Sequence, residues 1–207
     1  DIQEMLKKTR IFVATTTAIN SRPYLFKLKH FTTCFIDEAS QITEPELIGI
    51  LSAKHEASNA IDKFVLIGDY KQLPAITLQN SSDACVNHPL LNAVGITDCR
   101  HSLFERLYRK NDTSSYYILH KQGRMHPDIS SFPDQTFYQR EKIVPIPLPH
   151  QQEKKPYLTA EIKENNIDFL LTSRRIIFIS SKAPSDLIYS EKTNINEARI
   201  VATLLSH

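Results

Sequence analysis

Apolar residues fall along this chain in short continuous runs that end in polar groups, the pattern of strands buried on both faces of a parallel sheet. Cys34-Phe35-Ile36 runs into Asp37-Glu38, and Phe64-Val65-Leu66-Ile67 runs into Gly68-Asp69. The pattern predicts strands over 31–37 and 61–69, and a further buried strand, β-branched and aromatic, at Arg10-Ile11-Phe12-Val13-Ala14-Thr15. Residues 1–8 read as the tail of a helix. Thr43-Glu44-Pro45-Glu46 opens another, because proline suits a first turn and acidic groups suit the dipole there. Leu47, Ile48 and Leu51, with the later Ala60 and Ile61, form its apolar side, and Glu44 and Glu46 are dipole partners rather than catalysts. An irregular stretch follows from Pro74 to about residue 97, and Ser102 then caps a short helix over Leu103-Phe104-Glu105-Arg106-Leu107-Tyr108.

Asn111-Asp112-Thr113-Ser114-Ser115 is a polar break, which places a boundary between a first domain, 1–112, and a second, 113–207. The second opens on a strand at Tyr116-Tyr117-Ile118-Leu119. Pro145, Pro147 and Pro149 with residues 151–155 predict a semi-rigid exposed segment. Strands are expected at 167–171 and 175–179, and a final helix led by Asn196-Glu197-Ala198 turns Ile200, Val201, Leu204 and Leu205 toward a core. Strands alternating with helices make the fold class α/β with mostly parallel sheets.

Composition narrows the class without settling function. No apolar run approaches the roughly 20 residues of a membrane span, and no signal-peptide pattern opens the chain. Cys34, Cys85 and Cys99 lack metal-type spacing, so reduced thiols in an intracellular compartment, cytoplasmic or nuclear, are the simplest account. Cys85 and His88 have no further ligands beside them for a metal. A net charge of +2 neither requires nor excludes a nucleic-acid partner, because a groove can be locally basic.

The candidate chemistry lies at the ends of the two runs. Polar groups just past the carboxyl ends of parallel strands line the crevice where α/β proteins bind ligands. Adjacent carboxylates there suit a magnesium–nucleotide site: one holds the hard cation and the other accepts a proton from an attacking water. Gln72, a donor and an acceptor on one short side chain, could report on a terminal phosphate. Alone, Asp37-Glu38 would more simply cap the next helix; Gly68-Asp69-x-x-Gln72-Leu73-Pro74 thirty residues on gives the pair its force. Thr15-Thr16-Thr17 reads as strand-end hydroxyls capping the turn toward Asn20-Ser21-Arg22-Pro23. Only Gly49, Gly68, Gly95 and Gly123 are present, and none makes the phosphate-cradling G-x-x-x-x-G-K-[ST].

A third element, Gln122-Gly123-Arg124-Met125-His126-Pro127 with Phe132-Pro133, completes an ordered set. Asp37-Glu38-Ala39-Ser40-Gln41, Gly68-Asp69-x-x-Gln72-Leu73-Pro74 and this element resemble motifs II, III and IV of superfamily 1 helicases, in the up-frameshift/senataxin-like branch. The resemblance runs from about Ile11 to His207. It implies P-loop NTPase, RecA-like lobes, the first incomplete and the second partial, with ATP and Mg2+ as cofactors and single-stranded DNA or RNA as partner. It assigns Asp37, the Walker B aspartate, to magnesium, Glu38 to activating water, Gln72 to sensing the γ-phosphate and Arg124 to the arginine-finger role. A planar guanidinium suits that last task. Thr16 and Thr17 fall at motif Ic, where a hydroxyl touches a nucleic-acid phosphate without reading sequence. Asn194-Ile195-Asn196-Glu197-Ala198 matches a helix start that is structural, and His126-Pro127 reads as a structural turn.

Two departures bear on the transfer. The family usually places Tyr, which stacks on adenine, where Gly123 stands, and a second Pro where Ala75 stands. The chain begins with Asp1 rather than Met and looks like a piece of a larger protein, with motifs V and VI beyond His207 and the phosphate loop upstream. By itself it is therefore expected not to hydrolyse ATP. The competing expectation is an inactive RecA-like module that binds nucleic acid or acts as a scaffold.

Overall fold

The computed structural model describes residues 2–110, 112–153, 174–181 and 194–206. The chain divides into two units, Asp1–Tyr117 and Ile118–His207. Among the described residues no helix is long and apolar enough to cross a membrane.

The first unit is built on two parallel strands, β1 (Phe31–Ile36) and β4 (Ile61–Leu66), in register from Phe31 opposite Ile61 to Ile36 opposite Leu66. Parallel neighbours need a crossover. Here it comprises a 3₁₀ turn (Ala39–Gln41), helix α4 (Glu44–Leu51) and a short antiparallel hairpin of β2 (Lys54–His55) and β3 (Ser58–Asn59). Leu47 and Ile50 of α4 meet Phe26, Ile36, Ala39, Ala60, Ile61 and Leu103 in one buried cluster. Ala60 and Ile61 thus join this core from the strand side and do not extend the helix, which the hairpin cuts off; Ile48 faces solvent.

Three short helices precede and support this pair: α1 (Ile2–Lys8), α2 (Thr16–Asn20) and α3 (Tyr24–Leu28). The strand expected over 10–15 is absent. That segment pairs with no strand among the described residues, and Val13 is 93% exposed. Apolar content cannot make a strand without a neighbour to take its N–H and C=O groups. Within it, Phe12 packs edge-on to Phe31 at 5.3 Å.

Helix α4 starts as its sequence dictates. The Glu46 carboxylate accepts from both the Thr43 amide and the Thr43 hydroxyl at 2.9 Å. Glu44 instead reaches α7 (Leu103–Arg109), where the Arg106 guanidinium grips it with two parallel bonds, one of 2.7 Å. Their side chains are only 13% and 16% exposed, so α4 and α7 are joined by a largely dehydrated bidentate pair. Arg106 also donates to the Val94 carbonyl at 2.9 Å. Ser102 caps α7 by accepting from the Glu105 amide, as its position predicts.

The stretch from 74 to 97 is less irregular than expected. It contains α5 (Ser81–Ala84) and α6 (Pro89–Ala93), and an antiparallel bridge joins Cys85 to Asp98. Asn80 caps α5, and Ala84 is buried. Just after it, hydrogen bonds from the Arg100 side chain and backbone hold Asp98 well below the usual carboxylate range, at about 2. A carboxylate whose pKa is lowered on folding stabilises the fold above its unfolded value of about 3.9 and loses that contribution as pH falls through the folded value. Acid titration should therefore show an Asp98-dependent loss of melting temperature between about pH 4 and pH 2, and Asp98→Asn should flatten that part of the curve.

The second unit carries β5 (Lys121–Gln122) parallel to β6 (Val144–Pro145), with α8 (Pro127–Thr136), α9 (Pro149–Gln152) and α10 (Ile195–Leu205). Three expectations change here. Residues 116–119 form no strand, pairing beginning only at Lys121, and 175–179 form none either among the described residues. The proline segment is exposed as expected at Pro145, Pro147, Pro149, Gln152 and Glu153, while it contributes to β6, forms α9 and buries Gln151 alone among its described residues. Asn194 caps α10, accepting from the Glu197 amide at 3.2 Å, yet of its apolar face Ile200 and Leu204 are half-buried while Val201 and Leu205 are exposed. The strand expected at 167–171 lies outside the described residues.

Candidate functional site

The carboxyl ends of β1 and β4 lie side by side, and the loops leaving them are sewn together. The Ile67 amide donates to the Ile36 carbonyl at 2.9 Å, and the Ala39 amide to the Ile67 carbonyl at 2.8 Å. One step further, the Asp69 amide donates to the Ser40 hydroxyl at 3.1 Å. The crossing is so close that a Cβ on Gly68 would fall 2.9 Å from the Ser40 backbone nitrogen and 3.1 Å from its hydroxyl. Glycine is required here by approach, not by backbone conformation. Gly68→Ala should cost about 1–3 kcal/mol, as overpacking does. An unchanged melting temperature would show that the two loops are not tied.

Within this frame Asp37 and Glu38 are both exposed. Asp37 Oδ1 accepts from the Glu38 amide at 3.0 Å. Glu38 adopts φ 51°, ψ 36°, the left-handed region that costs a side-chain-bearing residue energy and that clusters at functional turns. The strain re-aims the chain between strand and 3₁₀ turn, and Gln41 Nε2 donates to Glu38 Oε2 at 3.3 Å. On the neighbouring loop Asp69 organises the turn: Oδ1 accepts from the Lys71 amide at 3.0 Å, and Oδ2 from Gln72 Nε2 at 3.1 Å. The Gln72 side-chain amide is therefore oriented by Asp69 while the residue stays exposed. Asp69 and Ser40 went unassigned in the sequence reading; the sequence signal for Asp69 was an aspartate two residues before an amide it could accept from. Tyr70 of the same loop packs at a tilt against Tyr108 of α7 (4.7 Å between centroids), and Tyr108 likewise against Tyr116 (5.0 Å).

Thr16 and Thr17 lie in the first turn of α2, Thr16 half-buried and Thr17 exposed. It is Thr15 that caps this helix, accepting from the Ala18 amide at 3.2 Å. Asn20 Nδ2 donates to the Glu46 carbonyl at 2.8 Å, resting α2 on α4. In the second unit Arg124 is exposed and makes no hydrogen bond or ion pair among the described residues. His126 caps α8: its Nδ1 accepts from the Asp128 amide at 3.1 Å, which leaves Nε2 to donate to the Glu153 carbonyl at 3.2 Å. Cys34, paired opposite Phe64 within β1, has its thiol pKa pushed up by burial, as suits a core group.

Parallel strand pairs in a mixed α/β chain, one of them with carboxylates at its end, match a RecA-like P-loop helicase domain fragment. Two AAA domain family models match, one over residues 1–80 and the other over 99–207. The chain is 28% identical, over 98% of its length, to the DNA replication ATP-dependent helicase/nuclease DNA2 of Bos taurus, of which it covers 18%. It is 33% identical over 65% of its length to Helicase sen1 of Schizosaccharomyces pombe, covering 7% of that protein. With ATP-dependent helicase upf1 of the same organism it shares 32% over 66% of its length, 12% of that protein. The chain belongs to the AAA-domain family of superfamily 1 helicases, in the up-frameshift/senataxin-like branch. It spans less than a fifth of the length of these relatives.

Proposed function

We propose that this chain is part of an intracellular ATP-dependent helicase or translocase that couples ATP hydrolysis to movement on single-stranded DNA or RNA. The observation that carries the reading is the pair of parallel strand ends, tied by Ser40 and Gly68, that sets Asp37-Glu38 beside Asp69 and Gln72. The donor set fits magnesium: carboxylate oxygens are hard ligands, and Asp37 Oδ2 has no partner among the described residues while Oδ1 is held by the Glu38 amide. Bound there, the ion would neutralise charge on the nucleotide phosphates.

Glu38 takes a proton from the attacking water as the water oxygen bonds to the γ-phosphorus and ADP departs. Gln72, oriented by Asp69, offers its amide to the γ-phosphoryl group. Arg124 supplies a planar cation for the charge that spreads over the phosphoryl oxygens. The hydroxyls of Thr16 and Thr17 hold a nucleic-acid phosphate and position the strand without reading its bases. No G-x-x-x-x-G-K-[ST] occurs in this segment, so turnover belongs to a longer polypeptide that supplies one.

The test is ATP hydrolysis by the natural full-length protein, with and without single-stranded DNA or RNA. Turnover that rises on adding nucleic acid supports the motor. A folded protein that binds strands yet releases no phosphate would replace it with a binding or scaffolding module.

A further inference from the structure

In the second unit, the turn that presents Arg124 is braced by three side chains, Gln122, His150 and Gln151. The Gln122 side chain brackets it from within: Nε2 donates to the Met125 carbonyl and Oε1 accepts from the Met125 amide, both at 2.9 Å. From outside, α9 adds a second brace. Gln151, 4% exposed, donates both protons of its amide nitrogen, one to the Gln122 carbonyl at 3.1 Å and one to the Met125 carbonyl at 2.9 Å. His150 Nε2 donates to the intervening Gly123 carbonyl at 2.9 Å; a carbonyl only accepts, so that nitrogen carries the proton. Carbonyls on both sides of Arg124 are thus held by side chains 26 to 29 residues away. Arg124 itself stays exposed.

We propose that Gln151, assisted by His150, is a positioning residue for Arg124, fixing the turn so that the guanidinium is presented to the phosphoryl group in one orientation. This rests on the arginine-finger reading given above. A buried side chain amide is costly unless its hydrogen bonds are made, and here each donor has a target on one turn. The brace is not needed to satisfy those targets. The Gln122 carbonyl also accepts from the Ile146 amide at 2.9 Å, and the Met125 carbonyl from Gln122 Nε2. Loss of Gln151 donors therefore strands no backbone acceptor and loosens the turn rather than unfolding it. Preorganised donors owe their effect to such fixation, and misplacement by about 1 Å can cost about a hundredfold in rate.

The experiment uses the natural full-length protein. Gln151→Met keeps the side-chain volume and removes both donors; it should lower kcat for ATP about 10- to 100-fold with KM for ATP unchanged. In an Arg124→Ala background the same substitution should change kcat less than twofold, because there is no guanidinium left to position. Amide exchange of residues 123–125 should quicken about tenfold. His150→Ala, which removes an exposed side chain, gives the same signature with a smaller drop and covers the case in which Gln151→Met fails to fold. Equal kcat losses with and without Arg124 would overturn the proposal and leave Gln151 a purely structural group. An unaltered kcat with quickened exchange would overturn it too. If the unsubstituted protein turns over no ATP, the motor reading falls first, and this proposal with it.

Discussion

On the proposed function, Glu38→Gln in the natural full-length protein should lower nucleic-acid-stimulated ATP turnover by about 10²- to 10⁴-fold, the range a positioned general base contributes, and should leave the melting temperature in place. Both halves of that result follow from the geometry. Glu38 is exposed, and among the described residues its side chain takes part in one bond, a 3.3 Å contact from Gln41 that a glutamine oxygen can still accept. The backbone at φ 51° is equally strained with either side chain. Only the basicity of the carboxylate is lost, so rate and stability separate. Phosphate release measured beside thermal unfolding checks this. A variant that keeps its turnover would remove Glu38 from the reaction, and one that loses both would make it a structural cap.

Arg124→Ala is the larger effect on the second unit. An arginine finger is worth about 10³- to 10⁵-fold in phosphoryl transfer, and Arg124→Lys should recover only a small part, because an ammonium cannot make the bidentate contact. Stability should move by less than about 0.5 kcal/mol, since the side chain is exposed and unbonded among the described residues. Single-turnover kinetics with bound ATP separates a failed chemical step from failed binding. Strand binding unaffected by the substitution, with hydrolysis gone, is the expected pattern.

The sequence was most legible where a local rule sufficed. Two apolar runs ending in carboxylates located β1 and β4, and Thr43-Glu44-Pro45-Glu46 and Ser102 marked helix starts that their own hydrogen bonds reproduce. The order of three motifs was enough to reach the family that the domain models and relatives then established. It misled where an element depends on a distant partner. Residues 10–15 and 116–119 have strand-like composition, but strands exist only in pairs, and among the described residues nothing lies alongside them to complete a ladder. Gln151 looked like part of an exposed proline-rich segment because nothing in its neighbours announces the turn at 122–125 that it bonds.

What the sequence determined by itself is the chemistry on offer: a carboxylate pair, a glutamine, an arginine and the strands whose ends carry the first three. These follow from residue type, apolar periodicity and spacing, all properties of short stretches of chain. Tertiary structure alone decided how that chemistry is held. The left-handed turn at Glu38, the Gly68–Ser40 crossing, the Glu44–Arg106 tie and the Gln151 brace each join residues by backbone geometry or across 26 to 62 positions. Such contacts are selected by the close packing of a whole unit, and no local pattern encodes them.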